Sequence, residues 1–337
     1  MAKVFAGLDV ADRTTQVCVV DNSGRTIFEC ITDTEPIALV NALKPFRRVL
    51  GAVGMEAGVK SAWLYKGLTA KKYPVYCLDP LQTHAALSAR RNKSDKNDAN
   101  GMALLLCRGI FAATYVKSYE ARRTRTLLVH RKALQRKAID VFAALRMTLK
   151  SFGASVDIKG KTPKVVMAKR DTEILALAAS MLRAHAALKA EYLFLDSMAR
   201  KQAAADPVCR RLMTIPGVGP LTALTFRAAV DDPERFHSSR NVAAHFGLTP
   251  RRFQSGEHDV MGSISKRGDR AVRSVLYEAA SVLIAVSKSK APLRQWATAL
   301  AARKGFKVAA VACARKLAVI MHRMWITGRD FDASPAA

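Results

Sequence analysis

The hydrophobic pattern at the N-terminal end predicts three short strands. An apolar run over residues 3–10 ends at Asp9, and β-rich residues follow over 15–20. A polar turn, Asp21–Gly24, separates the second run from a third over 26–31. Short runs divided by turn residues are typical of an antiparallel meander. The first strand of this predicted meander therefore ends in a carboxylate.

Helices and buried strands alternate in the next segment. The pattern predicts helices over 36–46, 61–69 and 97–108, and strands over 53–56 and 73–78. Three strands followed by alternating helices and strands imply a mixed α/β sheet. A ribonuclease H-like sheet is built in that order, with an Asp on its first strand, a Glu on a later strand and its other acids on a helix.

Two long helices are predicted in the middle of the chain, over 119–152 and 172–204. The residues between them, 153–170, are rich in Gly, Lys and Ser and predict a flexible basic linker. The second long helix carries an approximate heptad seam. That seam fits two arrangements, namely self-association as a coiled coil and packing against the first long helix of the same chain.

The C-terminal part predicts shorter elements. Helices are expected from 238 or 239 to 246, over 270–286 and over 292–325, and the polar segment 251–258 is expected to form a turn-rich loop. The chain is accordingly divided into an α/β domain over 1–115, long basic helices over 116–205 and a mostly helical domain over 206–330.

Composition adds a strong positive charge. The 337 residues carry a formal net charge of +28, and residues 117–170 contain fifteen Lys or Arg against three acids. A surplus of this size favours nucleic acid as the partner.

The sequence predicts neither a membrane span or signal peptide nor a metal-binding cysteine motif. No apolar run reaches the length of about eighteen residues that a membrane helix needs, and the N-terminus lacks the apolar stretch of a signal peptide. The six cysteines are scattered without a Cys-x-x-Cys pair, which argues against a zinc ribbon. We expect a cytoplasmic protein with reduced thiols and no membrane partner.

Four acids are placed as candidates for a metal site. Asp9 and Glu56 close two predicted strands. Asp95 and Asp98 stand three apart at a predicted helix start, where positions i and i+3 share a face. If the strands pair, the four carboxylates converge and repel one another unless cations neutralise them. Mg²⁺ or Mn²⁺ is the expected cofactor, because these ions prefer oxygen ligands and bridge phosphates.

A glycine-rich stretch suggests a phosphate contact. Ile215-Pro-Gly217-Val-Gly219, followed by an apolar helix, resembles the hairpin of a helix-hairpin-helix motif. In that motif glycines let backbone N–H groups approach a phosphate, and the next helix N-terminus helps to hold it. Gly217 and Gly219 are therefore candidate nucleic-acid contacts. The alternative is a Gly/Pro turn between two core helices.

Taken together, these motifs resemble the IS110-type, or DEDD, transposases of bacterial insertion sequences. The N-terminal motifs are Gly7-Leu-Asp9, Glu56 and Lys93-Ser-Asp95-Lys-Asn-Asp98-Ala. The C-terminal motifs are Ile215-Pro-Gly-Val-Gly-Pro-Leu-Thr-Ala, Gly247-Leu-Thr-Pro250, Gln254-Ser255-Gly256 and Ile264-Ser-Lys-Arg-Gly268. They follow one another in the order found in that family.

The resemblance implies a RuvC-like domain of ribonuclease H fold, a coiled-coil insertion and a C-terminal transposase domain. It implies excision and insertion through a circular intermediate, guided by a structured noncoding bridge RNA that pairs with donor and target DNA. The family's acids correspond to Asp9, Glu56, Asp95 and Asp98. Its nucleophilic serine corresponds to Ser255, which would form a phosphoserine linkage after activation by the acid-held metals. A homo-oligomer, dimer or tetramer, is expected.

Basic residues near Ser255 and on the first long helix are the expected nucleic-acid contacts. They are Arg251, Arg252, Lys266, Arg267 and Arg270 near the serine, and Arg122, Arg123, Arg131 and Lys132 on the helix. Ser263 and Ser265 are rivals for the nucleophile, because both lie in a basic, glycine-bracketed stretch. Ser265 also fits a helix N-cap or a phosphate contact.

Three functions fit this sequence: a serine-using, RNA-guided recombinase, a metal-dependent nuclease or junction resolvase that cuts with water, and a non-catalytic nucleic-acid-binding protein. Ser255→Ala separates the first two, and Asp9→Ala tests the third. Asp95 also fits a simple helix N-terminal acid. Asp12 and Asp79 are interpreted as a turn residue and a strand-end residue.

Overall fold

The computed structural model describes residues 2–88, 95–158, 163–167, 171–255 and 258–332. The chain forms two compact units, of which one ends at Lys117 and the other begins at Ser118. The long helices belong to the second unit. The three-part division at residues 115 and 205 stays a prediction from the sequence.

A five-stranded sheet forms the centre of the first unit. Its strands are β1 (Val4–Val10), β2 (Thr14–Val20), β3 (Thr26–Asp33), β4 (Leu50–Glu56) and β5 (Val75–Leu78). They lie in the order β3-β2-β1-β4-β5. The first three strands are antiparallel, whereas β4 is parallel to β1 and β5 is parallel to β4. This is the strand order of a ribonuclease H-like fold, so the predicted fold class is confirmed.

Helices cover both faces of the sheet. They are α1 (Pro36–Leu43, extended by a 3-10 turn over Lys44–Phe46), α2 (Ser61–Ala70), α3 (Pro80–Leu87) and α4 (Asp95–Cys107). The α1 and α2 helices pack on the face that carries Leu8, and α4 packs on the face that carries Cys18. The α3 helix is not predicted by the periodicity. Asp79, expected only as a strand-end residue, caps it by accepting a hydrogen bond from the backbone N–H of Gln82.

The second unit is mainly helical. Its helices are α5 (Tyr119–Lys150), α6 (Thr172–Ala205), α7 (Pro207–Leu212), α8 (Pro220–Val230), α9 (Ser239–His245), α10 (Arg270–Ala285), α11 (Pro292–Lys304) and α12 (Phe306–Thr327). Two short antiparallel hairpins are added, β6 (Ser155–Asp157) with β7 (Lys164–Val166), and β8 (Pro250–Ser255) with β9 (His258–Ile264). The core centres on fully buried side chains such as Phe226, Phe246 and Leu276.

The two long helices pack against each other within the chain, which is one of the two arrangements that the heptad seam allows. Asp196 of α6 is buried and accepts hydrogen bonds from Arg131 of α5 at 2.5 Å and from Arg200 at 2.6 Å. Arg131 also contacts the ring and hydroxyl of Tyr192. A carboxylate buried in this way is stabilised by paired, charge-assisted hydrogen bonds.

Three elements differ from the sequence-based expectation. The predicted linker over 153–170 contains the β6–β7 hairpin, so its described part is not a simple linker. The expected loop over 251–258 lies largely in the β8–β9 hairpin, because strands with few apolar positions form when a partner strand lies close by. The single helix over 292–325 is two helices, separated at Gly305, whose φ of +84° does not continue a helix.

All six cysteines are free thiols in the structure. Cys18, Cys77, Cys209 and Cys313 are buried. Burial raises the pKa of the Cys209 thiol to about 12, so it stays protonated and packs as an apolar group. In the described ranges, no helix combines the length and the apolar character that crossing a membrane requires.

Candidate active site

Asp9 and Glu56 lie side by side at the C-terminal ends of two interior strands of the sheet. The β1 and β4 strands are parallel neighbours with Leu8 opposite Met55, so the two acids are the next residues along each strand. Both line a cavity of about 390 Å³, together with Asp12 and Lys60. The carboxyl ends of adjacent parallel strands therefore place two of the predicted acids together.

Two glycines establish which face of the sheet these acids occupy. A Cβ built on Gly7 would lie 2.0 Å from the carbonyl oxygen of Ala99, and one on Gly54 would lie 2.7 Å from the side chain of Leu106. Both glycines thus face α4. Alternate residues of a strand share a face, so Asp9 and Glu56, each two residues further on, belong to the α4 face.

The direction of α4 brings the acids of its first turn towards the same C-terminal end of β1. At the C-terminal end of α4, the Sγ atom of Cys107 lies 3.5 Å from the carbonyl oxygen of Asp21, which is close to the start of β1. The N-terminal turn therefore points towards the end of β1, where Asp9 stands. This turn carries Asp95, which is exposed, and Asp98, which is half-buried.

Two lysines near the candidate acids form ion pairs with other carboxylates. Lys96, between the two acids of α4 in sequence, forms an ion pair of 2.6 Å with Glu29. Lys60 forms an ion pair of 3.0 Å with Asp12, whose side chain is 90% exposed. Asp12 thus has a surface partner, which supports its interpretation as a turn residue.

Asp9 and Glu56 face α4, whose first turn carries Asp95 and Asp98, but the four acids do not form a closed ligand set. Among the described residues, no group of three or more His, Cys, Asp or Glu side chains is close enough to hold a metal ion. The available donors are carboxylate oxygens, the ligand type that Mg²⁺ and Mn²⁺ prefer. The chemistry of the donor set therefore fits a divalent ion, with Asp9, Glu56, Asp95 and Asp98 as the residues that would hold it.

Ser255 is the last residue of β8 and is exposed. It pairs with His258 across the hairpin, and Gly256 lies outside the described residues. The sequence predicted a serine in a loop, whereas the structure has it at the end of a strand, next to the connection between β8 and β9. A serine at the tip of an exposed hairpin is accessible to a large substrate such as DNA.

The two arginines near Ser255 form hydrogen bonds with residues of β9 and of the segment that follows it. Arg252 donates two hydrogen bonds to Asp259, at 2.8 and 2.7 Å, and this contact lowers the pKa of the Asp259 carboxyl. Arg251 donates to the carbonyl oxygen of Ser265 at 3.2 Å. Both guanidinium groups therefore stabilise the hairpin, and both remain exposed.

The rival serines are also located. Ser263 belongs to β9, and the backbone N–H of Ser265 donates to the carbonyl oxygen of Thr249 at 2.8 Å. The predicted N-cap role of Ser265 is wrong, because Asp269 caps α10 by accepting a hydrogen bond from Ala271. Sequence reasoning missed Asp269, although an Asp just before an apolar helix is an ordinary capping signal.

The two glycines of the predicted hairpin motif have different environments. Gly217 has a φ of +89°, and a Cβ there would lie 2.6 Å from the carbonyl oxygen of Ala279. Gly219 precedes Pro220, the first residue of α8, and a Cβ there would meet nothing within 4 Å. Close packing against α10 explains why residue 217 is a glycine. Gly219 leaves open space at the N-terminus of α8, where a phosphate could approach.

The basic residues of α5 are not equally available. Arg131 has only 12% of its side chain exposed and is held by Asp196. Arg123 pairs with Glu120 at 2.7 Å, and Lys132 is exposed. The contacts of Arg131 favour a role in packing, which the sequence could not distinguish from nucleic-acid binding.

Known proteins resemble this chain over both units. The family model DEDD Tnp IS110, described as "Transposase", matches residues 6–153, and the model described as "Transposase IS116/IS110/IS902 family" matches residues 209–295. The transposase for insertion sequence element IS1111A of Coxiella burnetii is 30% identical, covering 94% of this chain and 87% of that protein.

Two further similarities are weaker. A probable family 20 transposase of Pseudomonas aeruginosa is 28% identical, covering 68% of this chain and 71% of its own. The RuvC structure of Thermus thermophilus is 18% identical, with 33% of this chain and 99% of RuvC covered and a TM-score of 0.26. The fold assignment of the first unit rests on its own strand order.

Proposed function

Because the chain belongs to the IS116/IS110/IS902 family of transposases, and is thus a DNA transposase or recombinase, we propose that it moves its element by metal-dependent serine chemistry. The acids Asp9, Glu56, Asp95 and Asp98 hold Mg²⁺ or Mn²⁺, and Ser255 is the nucleophile. A bound divalent ion supplies positive charge that stabilises the attacked phosphate.

The acids of the first unit have a defined task in this proposal. Their carboxylates would supply the oxygen ligands and the negative charge that hold the cation. The observation that carries the proposal is that Asp9 and Glu56 lie on adjacent parallel strands and face the helix whose first turn bears Asp95 and Asp98.

Ser255 performs the covalent step. Its hydroxyl loses a proton, its Oγ forms a bond to phosphorus, and one phosphorus–oxygen bond to a sugar breaks, with the released sugar oxygen taking up a proton. Attack by another sugar hydroxyl then reverses the step on a new strand. Because each step replaces one phosphodiester by another, strand exchange needs no external energy source.

A structured noncoding RNA and a second copy of the chain are proposed as further partners. The net charge of +28 gives the electrostatic attraction that binding of RNA together with DNA requires. In such a system base pairing with the RNA selects the donor and target sites, so the protein itself needs few base-specific contacts.

A plasmid assay tests the chemistry, with the gene and its native flanking DNA supplying the element ends and any guide RNA. We expect Asp9→Asn, Glu56→Gln and Ser255→Ala each to reduce excision by at least about 10²-fold. Asp12→Asn is the matched control in the same cavity and should leave excision unchanged. Calorimetric titration with Mg²⁺ provides a second readout, and Glu56→Gln should weaken binding.

Two outcomes would contradict parts of this proposal. If Ser255→Ala protein still cuts DNA, water is the nucleophile and the chain acts as a metal-dependent nuclease or resolvase. If Ser263→Ala, rather than Ser255→Ala, abolishes the covalent protein–DNA adduct in denaturing gels, the nucleophile lies on β9 instead.

A further inference from the structure

Two neighbouring cavities lie along α12 in the second unit. Their volumes are about 980 and about 500 Å³, and they share Leu248, Ile264 and Val311 in their lining. The shared side chains make them one groove, which runs between α12 and the β9 strand. Neither the acids of the first unit nor Ser255 belongs to this groove.

Cations line the groove along its length. Arg240, Lys307, Arg315 and Lys316 line the larger cavity, and Lys266, Arg270 and Arg273 line the smaller one. No Asp or Glu is among the described residues that line either cavity. Within the described chain, Arg240, Lys307 and Arg315 form no ion pair with a carboxylate, so their charge is available to a ligand.

The floor of the groove is apolar. Val308, Val311 and Val319 of α12 lie on the side of the helix that lines the larger cavity, where they join Ile264 and Trp296. Val308 is 55% exposed, so its side chain is accessible to a ligand in the groove. A groove with an apolar floor and basic edges is suited to a ligand that is flat and apolar on one side and anionic on the other.

We propose that this groove binds an unpaired nucleic-acid strand, with bases on the apolar floor and phosphates against the Lys and Arg side chains. A duplex fits the groove poorly, because its base faces are stacked inside and only phosphates and groove edges reach the protein surface. An unpaired strand exposes base faces, which stack on aromatic side chains in single-strand-binding proteins. Trp296 lines the larger cavity and Tyr277 the smaller one. The proposal rests on the nucleic-acid chemistry proposed above.

Binding of fluorescein-labelled oligo(dT), oligo(U) and a mixed-sequence duplex of the same length tests this assignment by anisotropy. Val308→Glu puts a carboxylate into the groove at an exposed position, and we expect it to weaken single-strand binding on the order of tenfold. Ile326→Glu, at a 52% exposed position of the same helix outside both cavities, is the matched control and should leave binding unchanged.

Charge is tested separately. Arg315→Gln should lower the slope of log Kobs against log salt concentration by about 0.7 for a single strand. Arg323→Gln, an exposed arginine of α12 outside the groove, should leave that slope unchanged. The ratio of oligo(U) to oligo(dT) affinity distinguishes RNA from DNA as the natural strand.

Three results for Val308→Glu would overturn the assignment. They are unchanged single-strand binding, a loss of duplex binding as large as the loss of single-strand binding, and an oligomeric state in size-exclusion chromatography that differs from that of the wild type. The last would mean that an apolar surface of a second copy covers the groove. Circular dichroism verifies that each variant is folded. The groove assignment and the serine chemistry fail separately, because Ser255→Ala should leave oligonucleotide affinity intact.

Discussion

His322 shows how a single buried side chain stabilises this fold. Its ring is fully buried, with Nδ1 2.9 Å from the hydroxyl of Ser239 and Nε2 2.9 Å from the carbonyl oxygen of Pro233. A carbonyl only accepts, so Nε2 carries the proton and Nδ1 accepts from the serine. Burial lowers the pKa of His322, and the nearby Arg235 acts in the same direction.

The histidine should make stability depend on pH. An unfolded histidine protonates near pH 6.5, whereas the folded His322 resists protonation because its pKa is lowered. Its contribution to the free energy of unfolding is therefore complete above about pH 6.5 and is lost as the pH falls below that value. We expect His322→Gln to lower the free energy of unfolding by about 1–2 kcal/mol at neutral pH. Between about pH 7.5 and 5.5, Tm should fall less steeply in this variant than in the wild type.

Urea unfolding and calorimetry at several pH values measure this effect. His84→Gln, at an exposed position of α3, controls for loss of a histidine without loss of buried contacts. A parallel fall of Tm in the wild type and His322→Gln would show that the buried ring does not contribute to the pH dependence.

Gly217 and Gly219 offer a matched pair in one hairpin. Gly217→Ala combines a positive φ with a Cβ 2.6 Å from a carbonyl oxygen of α10, so we expect a loss of about 1–3 kcal/mol in the free energy of unfolding. Gly219→Ala has room and an ordinary φ of −95°, so stability should change by no more than about 0.5 kcal/mol.

DNA binding then separates the two interpretations of this hairpin. If Gly219→Ala weakens binding to a DNA duplex while Tm is unchanged, the α8 N-terminus contacts phosphate. Unchanged affinity would leave the turn between core helices as the correct interpretation.

Among the elements, α4 links the fold to the site. The helix packs so closely on β1 that Gly7 contacts its backbone, and the same packing fixes where its N-terminal turn lies. The identity of a glycine inside a strand is thus explained by a helix that lies about ninety residues further along the chain. The sequence shows this Gly7 but not the helix above it.

Substitution of Gly7 should therefore disturb the candidate site without touching an acid. An added Cβ would meet the Ala99 carbonyl at 2.0 Å, so we expect Gly7→Ala to cost about 1–3 kcal/mol and to shift α4 and its acids. Mg²⁺ affinity should fall with Tm. Gly54→Ala, whose Cβ would meet side-chain atoms of Leu106 and Leu78 rather than backbone, should have a smaller effect on both.

If Gly7→Ala lowers Tm but leaves Mg²⁺ affinity and excision unchanged, α4 does not carry metal ligands. That result would count against Asp95 and Asp98 while leaving Asp9 and Glu56 as candidates.

Across the whole molecule, some cations are paired with groups of the chain itself and others are accessible to a ligand. Arg131 and Arg252 are held by acids, and Arg273 donates to three backbone carbonyl oxygens. The groove residues Arg240, Lys307 and Arg315 lack such carboxylate partners in the described chain. The net charge of +28 thus indicates the class of partner, whereas pairing determines which cations can reach it.

The sequence alone determined much of the first unit. The strand order, the helices other than α3, the position of Asp95 and Asp98 at a helix start and the family were predictable, because hydrophobic periodicity, turns and short motifs are local properties of the chain. The roles of the four acids and of Ser255 stay predictions, since they depend on a substrate.

Only the tertiary structure decided the remaining features. It showed the β8–β9 hairpin with Ser255 at the end of its first strand, the packing of α5 on α6 through Asp196, and the basic groove along α12. Each depends on contacts between residues far apart in sequence, and no local pattern encodes which surfaces meet. The free energy of these contacts, rather than local propensity, selects the structure there.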